Sequence, residues 1–166
     1  MRLLCSVWNL QDQREGGGVL RPDLAIIIDT REQNPFPLSG FTTQRGTLST
    51  GDYSLSGFEH RVAVERKSKE DSWGCVGAGR KRFEACMERL GAMESALVVI
   101  ECSLPEFCER PPYVKKVTVG TAVGSYLSWM CKYRVPVVWC GGREFAERVT
   151  VRFLGAFLKH RVGGGK

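Results

Sequence analysis

No two cysteines in this chain form a C-x-x-C pair and none clusters with histidine, although there are seven cysteines and two histidines. Zinc sites need closely paired ligands, so a zinc-binding module is excluded. The odd count, with Cys102 following LVVIE and Cys140 following VPVVW, suits free thiols buried in a reducing compartment better than a reactive or metal-bound cysteine. No apolar run approaches membrane-spanning length. The opening MRLLCSVW is too short for a secretory core and no small-residue cleavage site follows it. GAGRKR (77–82) lacks the GK[ST] ending of a nucleotide-binding loop, and there are no internal repeats. Together these absences set the expectation of a cytoplasmic protein with no membrane partner.

What is present is a basic surplus. The formal net charge is +6 and the pI about 9.1, in a chain of 166 residues that is 43% apolar. That length suits one hydrophobic core, and the charge favours a polyanionic partner, with nucleic acid first. Residues 1–22 hold a polar, Gly-rich stretch ending at Pro22 and read as a flexible extension. The domain proper is expected over 23–160, followed by a disordered tail at 161–166. Strands are expected at LAIIID (24–29), FTTQRGTLS (41–49), RVAVERK (61–67), SALVVIEC (95–102) and VPVVWC (135–140), with GDYSLSG as a turn. Helices are expected from Arg80 to Leu90, from Val119 to Lys132 and from Arg143 to His160. The second would bury Val119, Val123, Tyr126, Leu127 and Met130. The third carries Phe145, Val149, Phe153 and Phe157 four apart, as a core stripe or a dimer surface. Early strands followed by strand–helix alternation give a single-domain α/β fold with a mixed central sheet flanked by helices.

The chemistry concentrates in GDY and VERKSKED. Alternate side chains of a strand share a face, so Ala63, Glu65 and Lys67 point one way while Val62, Val64 and Arg66 point the other. Glu65 and Lys67 then emerge together at the end of a strand that otherwise wants burial, and a hairpin-like return brings Asp52 alongside. Two carboxylates and a lysine so placed suit phosphodiester hydrolysis. Carboxylate oxygens hold a hard divalent cation, and a lysine orients a water or offsets charge on the phosphorane. A bare E-x-K is more often a salt-bridged strand end; the upstream GD and the flanking D-x-R-E move the balance towards a site.

IIIDTRE, then GDY, then VERKSKED resembles the nuclease domain of XPF-type structure-specific endonucleases, which share a core with restriction endonucleases. The signature of that family, GD-x(n)-ERK-x-x-x-D, reads here as Gly51, Asp52, twelve residues, Glu65, Arg66, Lys67, three residues and Asp71. GAGRKRFEACMERL, ALVVIEC and YRVPVVWC extend the resemblance over roughly 24–160, towards bacterial and phage single-domain members. It implies a DNA endonuclease using magnesium or manganese. Asp52 and Glu65 would hold the metal, with Asp29 as a third candidate carboxylate. Lys67 would be the catalytic lysine, and Arg31, Glu32, Arg66 and Asp71 further members of the site. Alternation turns Arg66 away from Lys67, so it either braces a loop through Asp71 or Glu32 or touches DNA. Trp73 and Cys75 stand where relatives tend to carry a smaller aliphatic residue and a serine. Larger family members add paired helix-hairpin-helix motifs; none is expected here, where the sequence closes on RVGGGK.

DNA is therefore the expected partner, held through phosphate contacts and assisted by a homodimer through the last helix or by a separate DNA-binding partner. Arg31, Arg80 and Arg82 are candidate DNA contacts, and Arg110, Lys115 and Lys116 around PPY extend the basic track. Glu101 ends a buried strand and either reaches the site or forms a sheet-edge salt bridge. His60 and His160 are expected in solvent. The rival readings are a non-catalytic DNA-binding or scaffolding module of the same fold and a restriction-type endonuclease.

Overall fold

The computed structural model describes residues 24–162. The expected extension 1–22, and the tail beyond residue 162, lie outside them. In chain order the elements are β1 (Ile26–Asp29), β2 (Thr43–Gly46), β3 (Tyr53–Leu55), β4 (Val62–Lys67), α1 (Lys69–Val76), α2 (Arg80–Gly91), β5 (Ser95–Ile100), α3 (Leu104–Cys108), α4 (Val119–Tyr133), β6 (Val137–Trp139) and α5 (Arg143–Phe157). A π-helical turn, Leu158–Val162, continues α5 two residues past the expected end of the domain.

The six strands form one mixed sheet in the order β2-β1-β3-β4-β5-β6. β1 pairs parallel with β2 and antiparallel with β3, and β3 pairs antiparallel with β4. β4, β5 and β6 are mutually parallel, with Glu65 opposite Val98 and Lys67 opposite Ile100. β1 and β4 consequently run the same way, and Asp29, Lys67, Ile100 and Trp139 all end at one edge of the sheet. Open α/β sheets bind ligands outside the carboxyl ends of their strands, so this edge is where a site belongs.

Alternation along β4 splits the core as expected. Ala63 joins Trp73, Phe83, Met87, Val98, Tyr126 and Trp129 on the face covered by α1, α2 and α4. Val62 and Val64 join Ile26, Ile28, Tyr53, Leu97, Val99 and Leu154 on the face covered by α5. No described helix is long and apolar enough to cross a membrane.

Five local expectations need correction. GDYSLSG is more than a turn, because Tyr53–Leu55 is a buried central strand between Gly51 (φ +79°) and Gly57 (φ +78°). Lys69–Val76 is helical where a loop was expected, started by Ser68, whose hydroxyl accepts from the Asp71 N–H. A second short helix, α3, opens on a capping box between Ser103 and Glu106. In α4 the buried side chains are Ala122, Ser125, Tyr126 and Trp129, whereas Leu127 is 52% exposed. In α5 they are Ala146, Thr150, Val151, Leu154 and Phe157, while Phe145 is 38% exposed.

Candidate active site

Asp52 is placed by backbone packing before its side chain does anything. Its N–H donates to the Val64 carbonyl at 2.8 Å, and its own carbonyl accepts from the Asp29 N–H at 2.9 Å. The residue before it must be glycine for two reasons. Gly51 has φ +79°, and a Cβ there would lie 2.9 Å from the Ala63 Cβ and 3.1 Å from the Val64 carbonyl oxygen. The GD pair is thus a close approach that sets the aspartate against β4. One Asp52 carboxylate oxygen accepts from the Arg66 N–H at 2.7 Å.

Glu65, 8% exposed, lies beyond Ala63 on the same face of β4. Its Oε1 accepts from the Lys67 ammonium at 2.5 Å. Burial works against the Lys67 charge, yet Glu65 beside it outweighs burial and holds the ammonium above the ordinary lysine range. The Lys67 ammonium also sits 5.8 Å from the centre of the Phe83 ring. For Asp52 both main effects act in one direction. Burial first, and then the charge of Glu65, push its carboxyl up to about 7. Cys75 and Cys86 are buried within electrostatic reach of Glu65 and Lys67, and burial raises their thiols to about 11 and about 12. Protonated thiols of that kind are poor metal ligands.

A raised carboxyl pKa has a signed consequence for stability. Between about pH 4 and pH 7 folded Asp52 keeps a proton that the unfolded chain has released, so its contribution to stability is lost as pH rises through that window. Asp52→Asn removes the buried charge but keeps an oxygen for the Arg66 N–H. Its metal-free form should therefore melt higher than the parental chain at pH 8, by about 5 °C, and equal to it at pH 4. Thermal melts in chelator at the two pH values check this; a lower melting point at pH 8 would mean that the charge is already compensated.

Arg66 leaves β4 on the opposite face and braces. Its guanidinium bonds both oxygens of Glu101, at 2.8 and 3.2 Å, and Glu32 at 3.3 Å. Of the two expected braces, Glu32 is present, whereas Asp71 serves the helix cap at Ser68. Glu101 also accepts from Arg143 at 2.6 Å, and Arg143 reaches the carbonyls of Asn34 and Pro35. Glu101 thus forms the sheet-edge salt bridge. Arg143 was not singled out in the sequence; its signal was a cation directly after GG at a helix start.

Asp29 is 1% exposed and both its oxygens are engaged. Oδ1 accepts from the Arg31 N–H and Nε, at 2.8 and 2.7 Å. Oδ2 accepts from the Arg31 Nη2 at 3.0 Å and the Leu48 N–H at 2.7 Å. Arg31 nevertheless keeps 67% of its side chain exposed above the carboxylate. The described residues hold no group of three His, Cys, Asp or Glu that could hold a metal; Asp52 and Glu65 are two carboxylates close enough for the charge of one to raise the other.

Of the basic candidates, Arg80 is spoken for: it pairs with Glu84, bonds Ser125 and lies 5.0 Å from the Trp129 ring centre. Arg82 is exposed, as are Arg110, Lys115, Lys116, His60 and His160. Trp73, one of the departures from the family pattern, stacks on Phe107 and donates to its carbonyl at 3.0 Å. It ties α1 to α3 and leaves the carboxylates alone.

The solved structure of XPF from Aeropyrum pernix superposes with a TM-score of 0.64 at 17% identity, over 86% of this chain and 64% of that one. A second structure, XPF from Aeropyrum pernix in complex with DNA, gives 0.60 at 19% identity, over 85% of this chain and 66% of that one. This chain therefore spans just under two thirds of each, and at such identities the likeness shows the fold: a restriction-endonuclease-like core of the XPF nuclease type. No curated protein matches the sequence significantly. The ERCC4 domain model matches residues 28–153, a span that contains Asp29, the GD pair, the ERK strand, Glu101 and Arg143, and the chain is accordingly a member of the ERCC4-domain family.

Proposed function

We propose that this chain is a metal-dependent DNA endonuclease that hydrolyses phosphodiester bonds in DNA repair, recombination or phage DNA processing. The observation that carries the reading is the convergence of Asp52, Glu65 and Lys67 at one strand end, on the sheet edge where ligands dock. The DNA in one of the two similar structures supports the choice of substrate.

Asp52 and Glu65 fit a hard cation such as magnesium or manganese. Two carboxylates, one of them raised to about 7 by burial and then by the charge of the other, are stabilised by a divalent charge, and magnesium is commonly held by one or two carboxylates. When bound, the ion would supply Lewis-acid polarisation of the phosphate and a more acidic water. Lys67, fixed by Glu65, is placed to offset charge that develops on the phosphate oxygens. Asp29 has no oxygen to spare, and its part is to hold the loop before Asp52 through Leu48. Arg31, exposed over that carboxylate, and Arg82 are cations for backbone phosphates. A second copy docked on the half-exposed band of Phe145, Val149 and Phe153, or a separate DNA-binding partner, would add grip.

Incubating the full chain with duplex, flap, fork and single-stranded DNA should give cleavage in magnesium or manganese and none in excess EDTA. Undiminished cutting in chelator would overturn the metal mechanism. Tight binding without cutting in any metal would favour a scaffolding module.

A further inference from the structure

We propose that the loop 109–118 binds an unpaired DNA strand, the Tyr113 ring stacking on one base while Lys115 and Lys116 hold the flanking phosphates. This rests on the nuclease reading above and names the feature of the substrate that the site would select.

The loop lies at the catalytic edge. α4 ends just before the start of β6, so it begins at the opposite edge, where β4 delivers Lys67. Lys69, two residues after Lys67, reaches Glu109 at the head of the loop at 3.7 Å. That pair uses the acidic charge of the loop and leaves Arg110, Lys115 and Lys116 exposed, with no hydrogen bond or ion pair among the described residues. Tyr113 is 62% exposed, the most of any large apolar side chain described.

The backbone beneath is firm. Pro111 is buried, its carbonyl accepts from the Val114 N–H at 3.0 Å, and Val114 and Val117 pack on the core. The Thr118 hydroxyl then caps α4. A ring held out on such a support, between cations, loses little freedom on binding. Bases within a duplex have both faces stacked already, so an exposed ring can stack only on an unpaired base, while neighbouring lysines meet phosphates of any strand.

The test reads binding of the full chain, in EDTA, to a fork and to a duplex of equal length. The single-stranded arm of the fork carries 2-aminopurine. The parental chain should quench the 2-aminopurine and prefer the fork. Tyr113→Ala should abolish the quench and lower the fork-to-duplex affinity ratio about tenfold, and Tyr113→Phe should keep both. Lys115→Ala with Lys116→Ala should weaken both DNAs together. An unchanged ratio and quench in Tyr113→Ala would overturn the stacking site and leave a plain phosphate patch. Because no cleavage is needed, the two readings separate. A chain that binds the fork through Tyr113 but never cuts in magnesium would sink only the nuclease reading. One that cuts while ignoring Tyr113 would sink only this one.

Discussion

Glu65→Gln, assayed in magnesium, should cut DNA at least ~100-fold more slowly than the parental chain, the scale on which a single electrostatic contributor in an active site is felt. The change keeps the shape of the side chain and removes its charge. Two effects follow from the geometry. The candidate metal pair is left with one carboxylate, Asp52. Lys67 also loses the partner that keeps it charged against burial. These losses share one contact, so Glu65→Gln combined with Lys67→Ala should cost much less than the two single changes taken together. Lys67→Ala alone should lower turnover more than DNA affinity, since its charge matters most as the phosphate becomes more negative. Rates from single-turnover cleavage and affinities from binding in chelator separate these effects. A Glu65→Gln protein that cuts at the parental rate would place the active centre elsewhere.

Arg66→Ala should show its main effect in stability instead. Its side chain, 9% exposed, lies between Glu32 at 7% and Glu101 at 13%. Removing the cation leaves two nearly buried carboxylates, with Arg143 as the remaining cation on Glu101 and, among the described residues, none on Glu32. Breaking a buried ion pair from one side typically costs ~3–5 kcal/mol, which for a chain of this size lowers the melting temperature by about 10 °C. Arg66→Lys should recover part of the loss, because it restores charge without the fork that grips both Glu101 oxygens. Calorimetry in the absence of DNA measures this. A variant that melts like the parental chain but binds DNA weakly would make Arg66 a DNA contact and not a brace.

Much of this was legible in the residues, and where it was not the reason is physical. Alternation along a strand has a period of two, so RVAVERK announced which residues share a face, and the two core clusters divide as that period requires. The phase of the last helix misled, not its spacing. Ala146, Thr150 and Leu154 are also four apart, but they stand one position on from Phe145, Val149 and Phe153, about 100° around the helix. Ala146 and Thr150 carry little apolar signal of their own, and Thr150 is buried because its hydroxyl bonds the Ala146 carbonyl at 2.8 Å. β3 was missed because three residues between glycines are too few to show a period. α1 was missed because Ser72, Trp73, Cys75 and Val76 are buried around more of its circumference than one stripe. Of the candidate site, Asp52, Glu65 and Lys67 were marked by local pattern. Asp29 was marked as well, but nothing local showed that Arg31 and Leu48 would occupy both of its oxygens.

The clasp at Glu101 has a consequence for the order in which this molecule becomes competent. Glu101 joins Arg66, 35 residues earlier, to Arg143, 42 residues later. Arg143 in turn holds a loop at Asn34, 109 residues back along the chain. Contacts of such sequence separation form only after the intervening loops have closed. During synthesis, Asp52, Glu65 and Lys67 have all left the ribosome long before Arg143 does. The nascent chain thus carries every group proposed for cutting DNA while still lacking the tie that holds the 32–36 segment against them, and the finished blade is assembled only when the last helix docks.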